Sequence, residues 1–229
     1  MSLTLAQIRA MVQSGNFAVD LSTPLYTSIV SDTSTNKIEY SIYMGWDLIK
    51  ANHIDESWGD FKAEVAEFLL TKNFDSEILI QIEQNFNFGD DHWDWFEKSA
   101  VYRSDEYKWF FLYAEGKPQA VCLIYHPKQS ILSQENIFYI EYIAVAPWNR
   151  KNPMAVKKFA GLGELLIRFI VNYACQNLGL TLGFSLHSLP GAMGFYQSIG
   201  MQNITTEAKD GLEFFEMPSE VAGKYLEAS

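Results

Sequence analysis

Cysteine is scarce in this chain, with only Cys122 and Cys175 among 229 residues. So low a count points away from a disulfide framework and toward reduced, buried thiols, Cys122 in a strand-like run and Cys175 in a helical one. Basic residues are few as well: 17 Lys and Arg stand against 28 Asp and Glu, a net charge of −11. That balance argues against a nucleic-acid surface, which needs clustered cations to neutralise phosphates. No run approaches the roughly 20 apolar residues of a membrane span. The first residues lack a basic leader followed by a continuous apolar segment, so the reading is cytoplasmic. No His, Cys or Asp cluster has metal-ligand spacing, and no metal is expected. Ser185 and Ser188 lack the G-x-S-x-G elbow of serine hydrolases. Gly161-x-Gly163 lacks the further glycine and closing Lys-Ser/Thr of dinucleotide and phosphate-binding loops.

What is present is apolar bulk. Hydrophobic residues make up 48% of the chain, with 16 Phe, 12 Tyr and 6 Trp, enough for one large domain or a domain with an extension. Residues 1–100 read as a helix-rich extension: a short helix over Leu3–Val12, a strand over Lys37–Met44, a helix over Trp58–Leu70 and another over Ile78–Phe86. The stretch NFNFGDDHWDWFE (85–97) is acidic and aromatic. Asp90 and Asp91 there are candidate helix caps, or else a lip that attracts a cation.

Residues 101–229 carry a clearer pattern. Trp109–Tyr113 and Ala120–Tyr125 read as strands joined by the turn Glu115-Gly116-Lys117-Pro118. Ile137–Val145 is almost wholly apolar and reads as a central strand covered on both faces. A loop follows that holds Arg150, Lys151, Lys157 and Lys158, four of the 17 basic residues. It closes on Gly161-Leu162-Gly163, where apolar residues at 162, 165, 166, 169, 170 and 173 trace one face of a helix that ends before Gly179. Leu180–Leu186 reads as a strand parallel to the central one. Pro190 opens a short helix, and Lys209-Asp210-Gly211 turns a last hairpin between 203–207 and 212–217. The fold class is α/β: a mixed, mostly antiparallel sheet with one parallel central pair and helices on both faces.

Strand, basic glycine-containing loop and helix N-terminus together make an anion site, most readily for a phosphate or pyrophosphate. The same residues carry a resemblance. Val145-x-Pro147-x-x-Arg150 followed by Lys158-x-x-Gly161-x-Gly163 resembles the acetyl-CoA motif of the GNAT acyltransferases. Gly194-Phe195-Tyr196-Gln197-Ser198-Ile199-Gly200-Met201 resembles their late FY element. The resemblance covers roughly Trp109–Pro218, with an inserted Lys151–Lys157 and with Lys158 where Gln or Arg is commoner. It implies acetyl-CoA as co-substrate, held by Ile143, Ala144, Val145, Arg150, Lys158, Phe159, Ala160, Gly161, Leu162 and Gly163. It also implies that Tyr196 donates to the departing thiolate. Where the family often has an asparagine shortly before the tyrosine helix, this chain has His187-Ser188-Leu189-Pro190.

The residues supply a second group. Glu141 shares a strand face with Tyr139, Ile143 and Val145. A carboxylate in an apolar strand is costly unless it is paired or opens on a cleft, and burial raises it toward the range of a general base. A structural ion pair or a polar substrate anchor is the alternative. His126 and His187, at strand ends, read as loop histidines. Transfer of an acetyl group to a primary amine of a small molecule or peptide is the reading these features support. A non-catalytic acyl-CoA-binding module, or a domain whose basic loop binds a partner's acidic tail, are the other classes.

Overall fold

The computed structural model describes residues 3–15, 17–72, 89–90, 92–154 and 156–227. The helix expected over Ile78–Phe86, and Asp91, lie outside the described residues. Eight strands hydrogen-bond in the order β1-β2-β3-β4-β5-β6-β8-β7, with one parallel pair and the rest antiparallel. The chain divides into two units, Met1–Ser104 with Trp109–Val121 and Ala144–Leu162, and Asp105–Lys108 with Cys122–Ile143 and Gly163–Ser229. Residues 1–100 fall wholly in the first, and β4 and β5 contribute to both.

The first unit opens with α1 (Leu5–Ser14), started by a capping box in which Thr4 and Gln7 satisfy each other's backbone N–H. β1 (Tyr26–Ser31) and β2 (Lys37–Met44) pair antiparallel, Tyr26 opposite Ile42 and Ser31 opposite Lys37. The strand expected at 37–44 is thus the second strand. α2 (Leu48–Thr71) begins ten residues before the expected 58, because Asp47 accepts the Ile49 and Lys50 amides and starts a helix that buries Ala51, Ile54 and Trp58. α3 (Trp95–Val101) follows. β3 (Tyr107–Ala114) pairs antiparallel with β2, and β4 (Lys117–Gln129) returns from the Glu115-Gly116 turn. Trp58, Trp95 and Trp109 meet edge to face with centroids 6.2 Å apart, the geometry ring quadrupoles favour.

The second unit is built on β5 (Asn136–Val145) and the parallel strand β6 (Phe184–Ser188), joined through α4 (Leu162–Leu178). β6 starts four residues later than Leu180. Gly183 has φ 133°, and a Cβ there would stand 2.7 Å from the Met217 carbonyl, so the chain passes Met217 before the strand begins. α5 (Met193–Ser198) follows a 3-10 turn at Pro190–Ala192. β7 (Gln202–Asn203) and β8 (Glu213–Met217) make the last hairpin, shortened because Thr205–Glu207 winds into a 3-10 turn. α6 (Ser219–Glu227), which the sequence reading did not contain, closes the described chain. Phe138 and Phe184 stack at 5.5 Å across the parallel pair, and Leu166, Ile170 and Phe215 are fully buried. No helix among the described residues is long and apolar enough to cross a membrane.

Candidate active site

Along β5, Ile137, Phe138, Ile140 and Ala144 are buried, whereas Tyr139, Glu141, Tyr142, Ile143 and Val145 are only half-buried. The expectation of a strand covered on both faces is therefore corrected on the face that carries Glu141. The parallel pairing with β6 lasts three residues and ends at Ile140 opposite Leu186. Beyond it the two strands part, and Glu141 is the first residue past the fork.

The Glu141 carboxylate accepts no hydrogen bond among the described residues. Burial pushes its carboxyl above the ordinary carboxylate range, and the charges of Lys128 and Lys209 partly oppose that shift. Another carboxylate in the same unit, Glu216 on β8, shows the contrary arrangement. It is 1% exposed and accepts from Ser130 Oγ (2.6 Å), Ile131 N and Leu132 N (both 3.0 Å).

Tyr196 lies on α5 with its ring 6.1 Å from Phe215 and only 6% of its surface exposed. Burial raises its phenol well above the usual value, with smaller contributions from Cys122 and Tyr225. Its hydroxyl has no hydrogen-bond partner among the described residues. Cys122 is buried, as expected, and burial raises its thiol; Cys175 is exposed, which corrects the expectation that both are covered. Its position on α4 falls on the outer side of the apolar stripe, a spacing signal that was available in the sequence.

In the first unit, the chain leaving β5 turns through a 3-10 element at Pro147–Asn149. Gln119, 2% exposed, fixes that turn. Its Oε1 accepts from Trp148 Nε1 (2.9 Å) and Asn149 Nδ2 (2.7 Å), and its carbonyl accepts from Ala146 N (2.9 Å). Asn149 Oδ1 then accepts from Phe159 N at 3.1 Å. The two ends of the basic loop are thereby tied together. Neither Gln119 nor Asn149 was marked by any sequence pattern.

The loop's cations are largely paired. Arg150 donates from Nε to the Val145 carbonyl (2.7 Å) and from Nη1 to Asp90 Oδ1 (2.6 Å), with a second contact to Asp90 through Nη2. Lys158 pairs with Glu115, and the Lys157 and Lys158 carbonyls accept from Thr33 Oγ1 (2.9 Å) and Thr33 N (2.8 Å). Phe159 and Leu162 are buried anchors, while Ala160 and Gly161 between them are exposed. Gly161 has φ 74°, a conformation that α4's start requires and that only glycine adopts without strain. A Cβ there would meet nothing within 4 Å, so conformation and not space selects the residue. The amides of Ala160, Gly161 and Leu162 donate to no acceptor among the described residues. Unpaired amides on an exposed turn at a helix N-terminus fit an anionic phosphate group.

The acidic aromatic stretch has a structural role. Asp94 caps α3 by accepting the Glu97 amide (2.7 Å), and it pairs with Arg9. Asp55 accepts the Trp95 and Phe96 amides, both at 2.9 Å. Burial raises Asp55 to about 6, against the pull of those amides. Asp90, expected as a cap, instead pairs with Arg150. A cavity of about 230 Å³ lies among Trp58, Gly59, Trp93, Asp94 and Arg150. Every charged group named there already has an internal partner.

His187 is on β6 and bonds Tyr139, so it is not a loop histidine. His126 also lies inside a strand, since β4 continues to Gln129; burial lowers its imidazole and Lys108 adds to the effect.

No family sequence model matches the chain, and no curated protein matches it in sequence. Solved structures do. An uncharacterised protein from Bacillus halodurans has TM-score 0.50 and 13% identity, covering 90% of this chain and 96% of its own. The GNAT domain of PAT from S. lividans has TM-score 0.49 and 9% identity, covering 83% and 96%. The ribosomal-protein-S18-alanine N-acetyltransferase of Escherichia coli has TM-score 0.40 and 20% identity, covering 64% and 90%. At these identities the likeness is one of fold. With the parallel β5–β6 pair and its α4 crossover, the chain shares its fold with the uncharacterised Bacillus halodurans protein.

Proposed function

We propose that this protein is an N-acyltransferase that moves an acetyl group from acetyl-CoA to a primary amine. The observation that carries the reading is Glu141: a carboxylate without a hydrogen-bond partner among the described residues, raised by burial, at the point where the β5–β6 pairing ends. Its fit to the chemistry is direct. An acceptor amine reaches the site as an ammonium ion, and it attacks only after losing a proton. Glu141 accepts that proton, directly or through a water, and a raised carboxyl is a better base than an ordinary one.

The remaining roles follow from where the chain leaves donors. The amides of Ala160–Gly163 would hold the pyrophosphate, with Phe159 and Leu162 keeping the turn in place. The half-buried edge Ile143–Val145 would lie along the pantetheine arm. The Tyr196 hydroxyl would donate to the leaving thiolate. A phenol raised by burial keeps its proton and stabilises by hydrogen bonding, without full transfer. Bound acetyl-CoA supplies the thioester, and positioning it against the amine accounts for much of the rate. The net charge of −11 favours a cationic acceptor.

Calorimetry with CoA on wild type and Gly161→Val tests the placement. Binding to wild type that is weakened at least tenfold in a folded Gly161→Val variant is expected. Equal affinities would place the pyrophosphate elsewhere. No CoA binding to wild type would end the acyltransferase reading.

A further inference from the structure

Residues 1–100 lie outside the stretch that resembles the acyltransferases, yet one of them reaches the anion turn. The hairpin between β1 and β2 ends in Asp32-Thr33-Ser34-Thr35-Asn36, and Asp32 builds its tip. The Asp32 carboxylate accepts from Ser34 N (2.9 Å), Asn36 N (2.8 Å) and Asn36 Nδ2 (2.9 Å). Its carbonyl accepts from Thr35 N and its amide donates to the Asn36 carbonyl, both at 3.0 Å. These bonds are all internal to the tip, so its shape owes nothing to what it touches.

Thr33 is the residue that touches. Its hydroxyl donates to the Lys157 carbonyl at 2.9 Å, 124 positions away in the chain, and its amide donates to the Lys158 carbonyl at 2.8 Å. The Lys158–Phe159 peptide is thereby held on both sides, its C=O by Thr33 and its N–H by Asn149 Oδ1 at 3.1 Å. A peptide group is planar, so fixing both of its polar atoms fixes the plane. Only the φ and ψ of Phe159 and Ala160 then lie between that plane and the Gly161 amide. Phe159 is 1% exposed and packed in place, and the Lys158 side chain is tied separately, to Glu115. The unpaired amides begin at the next residue, Ala160.

We propose that Thr33 is a positioning residue for the phosphate-binding turn: it clamps the Lys158–Phe159 peptide against Asn149 and so sets the Ala160 and Gly161 amides in place before a ligand arrives. Donors ordered in advance lower the cost of binding. The N-terminal extension thus takes part in co-substrate binding through the tip of one hairpin. The inference rests on the reading of the Gly161 turn as the pyrophosphate site, and its test therefore reads the turn both without ligand and with CoA.

Amide nitrogen-15 relaxation in the full chain gives order parameters for Ala160 and Gly161, and calorimetry gives the affinity for CoA. In wild type and in Thr33→Ser, which keeps both donors, the two amides should show order parameters near 0.85, as in rigid backbone. Replacing residues 32–36 by Asn-Gly closes the same Ser31–Lys37 pair with a two-residue turn and removes both donors. There the order parameters should fall below about 0.6, and CoA should bind at least tenfold more weakly. Thr33→Val loses the hydroxyl alone and should weaken CoA about fivefold at unchanged Tm, as for loss of one hydrogen bond. It carries the test if the shortened hairpin fails to fold. Order parameters that stay high in the shortened hairpin overturn the proposal, as do wild-type amides that are already mobile. So does a CoA affinity unmoved in Thr33→Val, or one weakened equally in Thr33→Ser. Wild type that binds no CoA would end the acyltransferase reading, while a loss of order in the shortened hairpin would still uphold the clamp.

Discussion

Two carboxylates of the second unit, Glu216 on β8 and Glu141 on β5, divide the molecule's polar economy between them. Glu216 is fully buried and accepts three hydrogen bonds that pin the residues after β4. Glu141 is only half-buried, and its carboxylate accepts none among the described residues. Desolvation without compensation is costly, so a chain that can satisfy one glutamate and leaves another bare has a use for the bare one. The first unit sides with Glu216: Arg9, Arg150 and Lys158 all have carboxylate partners. What distinguishes the proposed catalytic groups is the lack of wiring, not charge.

The largest effect should come from Glu141→Gln. It keeps the shape and removes the base, so kcat/KM for an acceptor amine should fall roughly 10²–10⁴-fold near neutral pH. The defect should shrink from pH 6 to pH 10 as the amine deprotonates unaided. Stability should move the other way. The raised carboxyl means the folded state holds its proton more tightly than the unfolded chain, so its ionised form costs stability above the ordinary carboxylate range. Glu141→Gln should therefore melt no lower than wild type at pH 7. A lower Tm and a parallel pH–rate profile would together make Glu141 a structural residue like Glu216.

Tyr196→Phe comes next, with kcat lowered roughly ten- to a thousandfold at all pH values and CoA affinity kept, as for loss of one transition-state donor. A fully active variant would return the tyrosine to the core. Glu216→Gln should then show the mirror image of Glu141→Gln. An amide NH₂ would replace one acceptor oxygen against three donors, and stability should drop by about 1–3 kcal/mol in chemical denaturation. An unchanged midpoint would erase the contrast between the two glutamates.

The smallest effect concerns Asp55 in the first unit. Its carboxyl is raised to about 6 from 3.8, so the folded state holds an extra proton between those values. The stability this group contributes is present below pH 4 and is lost as pH rises through 6. Tm followed from pH 4 to 7 should show that decline in wild type, and Asp55→Asn should flatten it. An identical slope in both would assign the pH dependence elsewhere.

Much of this was legible beforehand, for reasons that differ by element. β5, α4 and the turn between them announced themselves because a buried strand, a 3.6-residue stripe and two glycines are each local signals. Glu141 was visible as one charge in an apolar run. The start of α2 was obscured because a single Asp47 side chain sets it, and β6 was misplaced because Gly183 is required by Met217, 34 residues on. The pairing of Arg150 with Asp90, the Gln119 hub and the Tyr139–His187 bond join residues 27 to 60 positions apart, and no periodicity encodes such partners. A cluster of cations reads as an open anion site until the acids that meet it are known.

The Asn149–Phe159 hydrogen bond has a consequence for how this family of loops can vary. Because it closes the excursion 150–158 at its base, the turn at Gly161 is positioned by Gln119 and Asn149 and does not depend on how many residues lie beyond them. Closing a longer flexible loop costs only about 0.6 kcal/mol for each doubling of its length. Nine residues, or eighteen, can therefore be hung from that stitch with little change at the helix start. The excursion is a graft point: an affinity tag, a reporter or a second recognition segment inserted near the exposed Val156 would be carried by the fold and read by solvent.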